Sequence, residues 1–340
     1  MKSLDLFAGA GGMTLGFKNA GIQSIGAVEI DRFAAETFKH NFPEIPIYHR
    51  DIYSFTNEEI SELFSGVDIV AGGPPCQGFS VAGPTQYGII DKRNTLIMEF
   101  FRFIEVLRPK YCVLENVKGI LSGKMNSKQK ALSVYMDALK DIGYISRVYI
   151  LQAADFGVPQ FRERFVLIGS RDHEDIFLPL PTHFQMHQDP AYRWKTVGEA
   201  IADLENEVSE CGSLTPERKK YLRMVPEGGN WKDLPKEVVS VAMGGAYESG
   251  GGKVGFYRRL SYAQPSPTIT TAPAQKATML CHPIKDRPLS IHEYARIQQF
   301  PEDWIFVGTT AAKYKQIGNA VPCRFAKAVA SAVRNAYMEA

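Results

Sequence analysis

The stretch Asp5-Leu-Phe-Ala-Gly9-Ala-Gly11-Gly12 joins an apolar run at Ser3–Phe7 to a glycine-rich turn near the N-terminus. An apolar run that ends in closely spaced glycines is typical of a β-strand that turns sharply into a helix. The glycines allow a ligand to approach the N-terminus of that helix. The segment therefore predicts the first strand–helix unit of an α/β sheet, with a ligand site at its turn.

The same alternation continues through the first 170 residues. Six apolar runs are expected to be strands: Ser3–Phe7, Ser24–Glu29, Val67–Ala71, Tyr111–Glu115, Tyr144–Leu151 and Arg164–Gly169. Helical periodicity lies between them, at Arg32–His40, Asn94–Leu107 and Lys128–Lys140. Strands that alternate with helices favour a parallel sheet with helices on both faces, so we predict the α/β class.

The regular pattern stops near Ser170, where prolines and glycine clusters punctuate the chain. We expect a catalytic and cofactor-binding domain over residues 1–170 and a smaller, loop-rich domain over residues 171–257. Residues 258–340 are regular again and are expected to return to the first domain. Ser290-Ile-His-Glu293 is a capping box for a helix Ile291–Gln299. Pro322 is expected to begin a last helix that runs to Tyr337.

Composition excludes several classes of protein. The 340 residues carry a formal net charge of +2, with no export signal and no apolar run that would span a bilayer. The five cysteines form no Cys-x-x-Cys pair, so neither a metal site nor a disulfide framework is expected. We therefore expect an intracellular, cytoplasmic protein. If nucleic acid is a partner, its phosphates must meet local basic clusters, such as Arg218-Lys219-Lys220 or Lys253 with Arg258 and Arg259.

Acidic residues follow the glycine-rich turn at spacings that indicate a nucleoside site. Glu29 ends the second strand twenty residues after Gly9, where an acidic side chain commonly binds ribose hydroxyls. Asp51 follows a further short strand, expected between the runs Ser24–Glu29 and Val67–Ala71. Its carboxyl group could accept a hydrogen bond from an adenine amino group. A tight turn without ligand and a NAD site are the alternatives. The third glycine of the dinucleotide fingerprint is missing, which favours a nucleoside without phosphate, such as S-adenosylmethionine.

A second candidate site begins at Gly72-Gly73-Pro74-Pro75-Cys76, directly after the strand Val67–Ala71. Ligands of open α/β sheets lie beyond the carboxyl ends of the strands, and two prolines would fix the backbone around the thiol. A buried turn cysteine is the alternative. Glu115 ends another strand, and its carboxyl group would lie near Cys76 if the two strands are neighbours. Arg162 and Arg164 in Gln160-x-Arg162-x-Arg164 precede a third strand and could bind phosphate or a carbonyl oxygen.

Six motifs in the same order resemble the cytosine-C5 DNA methyltransferase family of bacterial type, almost from end to end. They are Phe7-x-Gly9-x-Gly11, Pro74-Pro75-Cys76-Gln77, Glu115-Asn116-Val117, Gln160-x-Arg162-x-Arg164, the region from Arg259-Leu-Ser to Pro267-Thr-Ile-Thr, and Gln316-Ile-Gly-Asn319-Ala-Val-Pro322. The resemblance implies a Rossmann-like sheet that binds S-adenosylmethionine, with a smaller target-recognition domain.

The resemblance also implies roles for individual residues. Cys76 would be the nucleophile that attacks a cytosine flipped out of the duplex, with Glu115 and Arg164 holding the base and Arg162 supporting phosphate or the loop. Cofactor contacts would come from eight residues: Phe7, Gly9, Gly11, Glu29, Asp51, Ile52, Pro74 and Asn319.

The resemblance further implies double-stranded DNA as partner and a monomeric, nucleoid-associated protein, which is either half of a restriction–modification pair with a cognate endonuclease or a solitary enzyme. A tRNA cytosine methyltransferase, a catalytically silent DNA-binding protein and, more distantly, a NAD oxidoreductase are the alternatives.

Overall fold

The computed structural model describes residues 1–75, 96–121, 130–172, 179–207, 209–248 and 255–339. The chain divides into two compact units that interleave along the sequence. The larger unit comprises residues 1–153, 163–181 and 321–340, and the smaller unit comprises residues 154–162 and 182–320. No helix in the described ranges is both long and apolar enough to cross a membrane.

The larger unit is built on a seven-stranded sheet with the order β3-β2-β1-β4-β5-β8-β6. Its strands are β1 (Lys2–Leu6), β2 (Gln23–Glu29), β3 (Ile47–His49), β4 (Ile69–Gly72), β5 (Tyr111–Val117), β6 (Ile145–Gln152) and β8 (Glu163–Ser170). The first five pair in parallel, which confirms the α/β class. β8 runs antiparallel to both β5 and β6.

The antiparallel β8 corrects the expectation of an all-parallel sheet. Apolar strand patterns do not reveal direction, because side chains alternate identically in both orientations. The consequence concerns Arg164, which lies at the beginning of β8. Since β8 is reversed, its beginning pairs with the carboxyl end of β5, where Val117 is the register partner of Arg164.

Helices cover this sheet and supply its core. They are α1 (Gly12–Asn19), α2 (Arg32–Asn41), α3 (Asn57–Phe64), α4 (Leu96–Leu107), α5 (Ala131–Asp141) and α11 (Cys323–Glu339). Phe64, Phe100 and Phe103 are fully buried against Leu4 and Leu114 of the sheet. Burial of one such side chain stabilises the fold by about 1.5–3 kcal/mol.

The smaller unit has little regular structure, as its proline and glycine content predicts. Its helices are α6 (Val197–Ile201), α7 (Pro216–Leu222), α8 (Lys236–Met243), α9 (Ile291–Ile297) and α10 (Thr310–Asn319), and two short strands, β7 (Gln160–Phe161) and β9 (Ser266–Pro267), pair in parallel. The predicted capping box is confirmed, since Ser290 and Glu293 cap α9 reciprocally. A separate apolar core includes Leu222, Tyr257 and Met279.

The division into units differs from the predicted domains in three places. Residues 171–181, expected in the second domain, belong to the larger unit. Residues 258–320 pack within the smaller unit, so that residues 321–340 return to the sheet. Residues 154–162, expected in the first domain, also belong to the smaller unit. A reading along the chain assigns domains as continuous stretches, whereas packing in space allows segments far apart in sequence to share one core.

Candidate active site

The segment that leads to Cys76 lies against two strands of the larger unit. A Cβ atom on Gly72 would lie 2.3 Å from the backbone oxygen of Leu6 on β1, so the close approach of β1 and β4 requires a glycine there. A Cβ atom on Gly73 would lie 3.0 Å from Oε2 of Glu115. The residue before the two prolines therefore passes directly beside the carboxyl group of Glu115.

A hydrogen bond fixes the same segment from β5. Nδ2 of Asn116 donates to the backbone oxygen of Pro74 at 3.0 Å, and Asn116 is buried. Cys76 itself lies outside the described residues. The structure thus places Pro74 and Pro75, and shows that Glu115-Asn116 and the approach to Cys76 lie at one edge of the sheet.

Glu115 and Arg164 meet at this edge. Nε of Arg164 donates to Oε1 of Glu115 at 2.9 Å, and both side chains are about nine-tenths buried. Burial lowers the pKa of Arg164, and the carboxylate of Glu115 opposes that shift. A guanidinium beside a carboxyl group offers donors and an acceptor on one surface, which is the pattern needed to hold the polar edge of a planar base.

Arg162, two residues earlier in the same motif, lies in the smaller unit. It is buried, and its Nη2 donates to the backbone oxygens of Gly318 and Ala320, both at 3.1 Å. Gln298 donates to the oxygens of Ile317 and Ala320, each at 2.8 Å. These side chains satisfy carbonyl groups at the end of α10, which helices otherwise leave unpaired. The visible role of Arg162 is therefore to hold the closing motif.

Four of the predicted cofactor residues, Phe7, Glu29, Asp51 and Ile52, line an open cavity of about 220 Å³ in the larger unit. Its described lining consists of Phe7, Val28, Glu29, Ile30, Asp51, Ile52, Tyr53, Pro75 and Leu96. Gly9, Gly11 and Pro74 are not among these described lining residues. The walls are mainly apolar and aromatic, while two carboxyl groups supply polar contacts, as in sites for small ligands. Asn319 ends α10 in the smaller unit, where its side chain is exposed.

Glu29 is oriented by two backbone amides. Oε2 accepts from the N–H of Gly9 and Oε1 from the N–H of Asp31, both at 2.7 Å. Burial raises the pKa of Glu29, and these amides oppose the shift. Each carboxyl oxygen retains a second lone pair, so the group can still accept hydrogen bonds from two ligand hydroxyls.

Ile30 and Tyr53 are cavity residues that the sequence reading missed. Their side chains are 62% and 46% exposed although they are apolar or aromatic. Each directly follows a residue that had been identified, Glu29 and Ile52, so neighbourhood in sequence was the available signal. Phe7, at the inner end, has a left-handed backbone with φ of 61°. Such a conformation is strained for a side chain with a Cβ atom and is often found at binding sites.

Comparison with known proteins identifies the family. The model of the C-5 cytosine-specific DNA methylase family matches residues 1–335. The chain belongs to this family. It is 41% identical over 336 residues to the type II methyltransferase M.PspPI of Psychrobacter sp., covering 97% of this chain and 78% of that protein. It is 40% identical over 338 residues to M.Eco47II of Escherichia coli, with the same two coverages.

Solved structures agree with the fold of this DNA methylase. A prophage-encoded protein of Escherichia coli, described as a DNA modification methyltransferase, superposes with a TM-score of 0.70 and 26% identity, and the match covers 99% of both chains. The Dnmt2 methyltransferase of S. pombe superposes with a TM-score of 0.61 at 17% identity, covering 100% of this chain and 98% of that chain, and shows the fold alone.

Family membership confirms the resemblance and the Rossmann-like fold, and it makes the protein a DNA cytosine-5 methyltransferase. The described cysteines are free thiols: Cys112, Cys211, Cys281 and Cys323. Burial raises the pKa of Cys112 and of Cys281 to about 12, so neither thiol supplies a thiolate at neutral pH.

Proposed function

We propose that this methylase transfers a methyl group from S-adenosylmethionine to C5 of a cytosine flipped out of duplex DNA, with Cys76 as the nucleophile. The observation that carries the proposal is the meeting of Glu115 and Arg164 beside Gly73 and Pro74, the segment that leads directly to Cys76. A base bound to the first two side chains would lie next to that segment.

The cavity around Phe7 fits S-adenosylmethionine better than a dinucleotide. The N–H of Gly9 is bonded to Glu29, and the N–H of Gly11 to the oxygen of Ala8 at 3.0 Å. Amides that would bind a pyrophosphate are therefore engaged, and a buried carboxyl group there repels an anion. Glu29 would hold the ribose hydroxyls and Asp51 the adenine amino group, with Phe7 and Ile52 packing on the base.

The remaining predicted cofactor contacts stay part of the proposal. Gly9 and Gly11 would let the donor approach the turn, and Pro74 would border its methyl end. Asn319, from the closing motif, would complete the site. When bound, S-adenosylmethionine supplies an electrophilic methyl group on a sulfonium.

The chemistry follows from the poor nucleophilicity of C5 in an aromatic ring. The thiolate of Cys76 adds to C6, which breaks the aromatic delocalisation and places electron density on C5. C5 then takes the methyl group. Loss of the C5 proton and departure of the thiolate from C6 restore the ring. Glu115, in its protonated form, would donate to N3 and accept from the amino group of cytosine, and Arg164 would donate to the O2 edge. Charge developing on the ring would be offset by about 2–4 kcal/mol per good contact.

The smaller unit would read the DNA. Between Ser209 and Arg287 there are twelve Lys and Arg residues against seven Asp and Glu residues, whereas the whole chain has 39 and 37. This local excess of positive charge suits a surface that contacts phosphates. Because the relatives named above are bacterial type II methyltransferases, we further propose a bacterial, nucleoid-associated enzyme that acts as a monomer and protects sites cut by a cognate endonuclease.

The decisive experiment expresses the protein in a host without cytosine methylation and maps 5-methylcytosine by bisulfite sequencing. The native chain should methylate a defined sequence, and Cys76→Ala should abolish the signal. Cys211→Ala is the matched control and should retain it, since Cys211 is a free thiol that belongs neither to the described cavity lining nor to the Glu115–Arg164 pair. Methylation by Cys76→Ala would refute the mechanism. Transfer of the methyl group to tRNA but not to duplex DNA in a parallel assay would contradict the proposal that duplex DNA is the substrate.

A further inference from the structure

Asp5 is a buried carboxyl group that the mechanism does not use. It lies in β1, two residues before Phe7, and is 3% exposed. Oδ2 accepts a hydrogen bond of 2.6 Å from the hydroxyl of Thr14, whereas Oδ1 has no hydrogen-bond partner among the described residues. Buried carboxyl oxygens are usually paired, because an unpaired one loses its hydration without replacement. Asp5 therefore needs a reason to be there.

The local helix supplies one part of the reason. α1 follows Gly11, whose φ of 88° is left-handed, and no side chain caps its N-terminus from within the turn. Uncapped helices leave N–H groups unsatisfied and present partial positive charge. The carboxyl group of Asp5 reaches the first turn of α1 from the neighbouring strand through Thr14, and the backbone amide of Thr14 also favours its charged form. Asp5 thus ties β1 to α1 across the glycine-rich turn.

The surroundings disfavour this charge. Burial raises the pKa of Asp5 to about 7, and the nearby carboxyl group of Glu29 raises it further, while the bonds from Thr14 lower it. β4 contributes no ionisable side chain to the sheet beside Asp5. The charged residues of α1 and α11, which cover this face, are exposed: Lys18, Arg324, Lys327, Arg334 and Glu339. Asp5 lies two residues before Phe7, which lines the cavity, and uncompensated buried charge near a binding site is more typical of functional than of structural residues.

We propose that Asp5 is a positioning residue for the methyl-donor site, and that its ionised form fixes the Phe7–Gly11 turn at the expense of folding stability. The inference rests on the proposed binding of S-adenosylmethionine in the adjoining cavity. In the ionised state the helix start and the turn are held in the arrangement that lets Gly9 bond Glu29. In the protonated state the contact between Asp5 and α1 is weaker, and the affinity for S-adenosylmethionine falls.

Two measurable consequences follow for the native protein. If the donor binds the ionised form, its dissociation constant should be about tenfold weaker at pH 6 than at pH 8, because only about one molecule in ten is competent one unit below the pKa. Folding should show the opposite trend. A carboxyl group with a raised pKa in the native state stabilises the fold at low pH, and that contribution is lost as pH rises through about 7.

Asp5→Asn tests both consequences, because asparagine resembles the protonated carboxyl group at every pH. Isothermal titration with S-adenosylmethionine should give a dissociation constant for the variant that is at least as weak as that of the native protein at pH 6, and therefore at least about tenfold weaker than that of the native protein at pH 8. Ionisation of S-adenosylmethionine affects both proteins equally. It therefore cancels in the ratio of the variant's dissociation constant to that of the native protein at each pH. The melting temperature of the variant relative to the native protein should rise between pH 5 and pH 8.5. A residue with a purely structural role would lower affinity and melting temperature together.

Thr14 provides a second pair of variants that keeps Asp5 in place. Thr14→Val removes the hydroxyl donor and should move the midpoint of the pH profile upward by on the order of one unit. Thr14→Ser keeps the hydroxyl and should leave the midpoint unchanged. A pH-independent ratio for Asp5→Asn, or equal midpoints for the two Thr14 variants, would overturn the role of Asp5 alone. Failure of every protein to bind S-adenosylmethionine would overturn the cofactor proposal as well.

Discussion

The guanidinium of Arg164 and the carboxyl group of Glu115 form a buried ion pair, 2.9 Å apart, between two antiparallel strands of the sheet. Val117 and Arg164 are register partners, so the pair sits at the last residues of β5 and the first residues of β8. Two charges held this way are already desolvated before a base arrives. They would bind a polar ring edge without the reorganisation that water or mobile side chains would require.

Removing one partner of this pair should be costly. Arg164→Met is expected to lower the free energy of unfolding by about 3–5 kcal/mol, because a buried carboxyl group loses its charged partner. It should also lower kcat by about two orders of magnitude. Urea unfolding and single-turnover methylation measure the two effects. Lys118→Met is the matched control, since the Lys118–Glu163 pair is more than half exposed and should contribute less than about 1 kcal/mol. Equal losses in the two variants would contradict the importance of burial.

Substitution of the two glycines that precede the prolines should have different effects, one mainly on stability and the other mainly on activity. Gly72→Ala places a methyl group 2.3 Å from the backbone oxygen of Leu6, and backbone cannot move aside, so we expect a loss of about 2 kcal/mol or more in thermal unfolding. Gly73→Ala meets only the carboxyl oxygen of Glu115 at 3.0 Å, which can shift by a few tenths of an ångström. It should keep the melting temperature and lower kcat. Gly245→Ala, with open space around it, is the control for both.

The basic residues of the smaller unit should fall into two groups: those that contact DNA phosphates and those whose hydrogen bonds stabilise the fold. Lys219 and Lys220 on α7 are candidates for the first group. Changing each to Gln should reduce the slope of log Kd against log salt by about one for duplex DNA, whatever its sequence. Lys39→Gln and Lys140→Gln, exposed lysines of the larger unit, are matched controls and should leave the slope unchanged. A slope equal to that of the native protein for both α7 variants would exclude this helix from the DNA surface.

Arg259 belongs to the second group. The sequence reading named it as a phosphate candidate, but it is 5% exposed and donates to the backbone oxygens of Leu222, Val225, His282 and Lys285 and to the carboxylate of Asp286. With its donors so engaged, Arg259 holds the smaller unit together. Arg259→Met should therefore destabilise the protein by several kcal/mol in urea unfolding.

His282 should make stability depend on pH. Its Nδ1 accepts from the N–H groups of Ile284 and Lys285, so protonation there would break two bonds. Burial lowers its pKa to about 4, although Glu293 opposes the shift. The native state binds this proton less readily than the unfolded chain, so stability is lost as pH falls from about 6.5 to about 4, by roughly 3 kcal/mol. Urea titrations across that range should show a smaller slope for His282→Gln, and an unchanged slope would contradict the assignment.

Sequence patterns predicted the six main strands to within two residues at each end, because buried strands are apolar. The direction of β8 was not predictable from such patterns, nor was α10, whose apolar residues are few and interrupted. Motifs gave Glu115, Arg164 and the acidic cavity residues. The side chains that hold other motif segments, such as Asn116 on Pro74 and Gln298 on the end of α10, make contacts distant in sequence, which no local pattern encodes.

The two arginines of Gln160-x-Arg162-x-Arg164 fall on either side of a boundary between units, and the chain crosses from one unit to the other four times. Neither unit is therefore a continuous stretch, and no single cut of the gene would produce two autonomous halves. An engineer who wished to exchange recognition modules between such enzymes would have to transplant residues 154–162 together with residues 182–320, as one discontinuous graft.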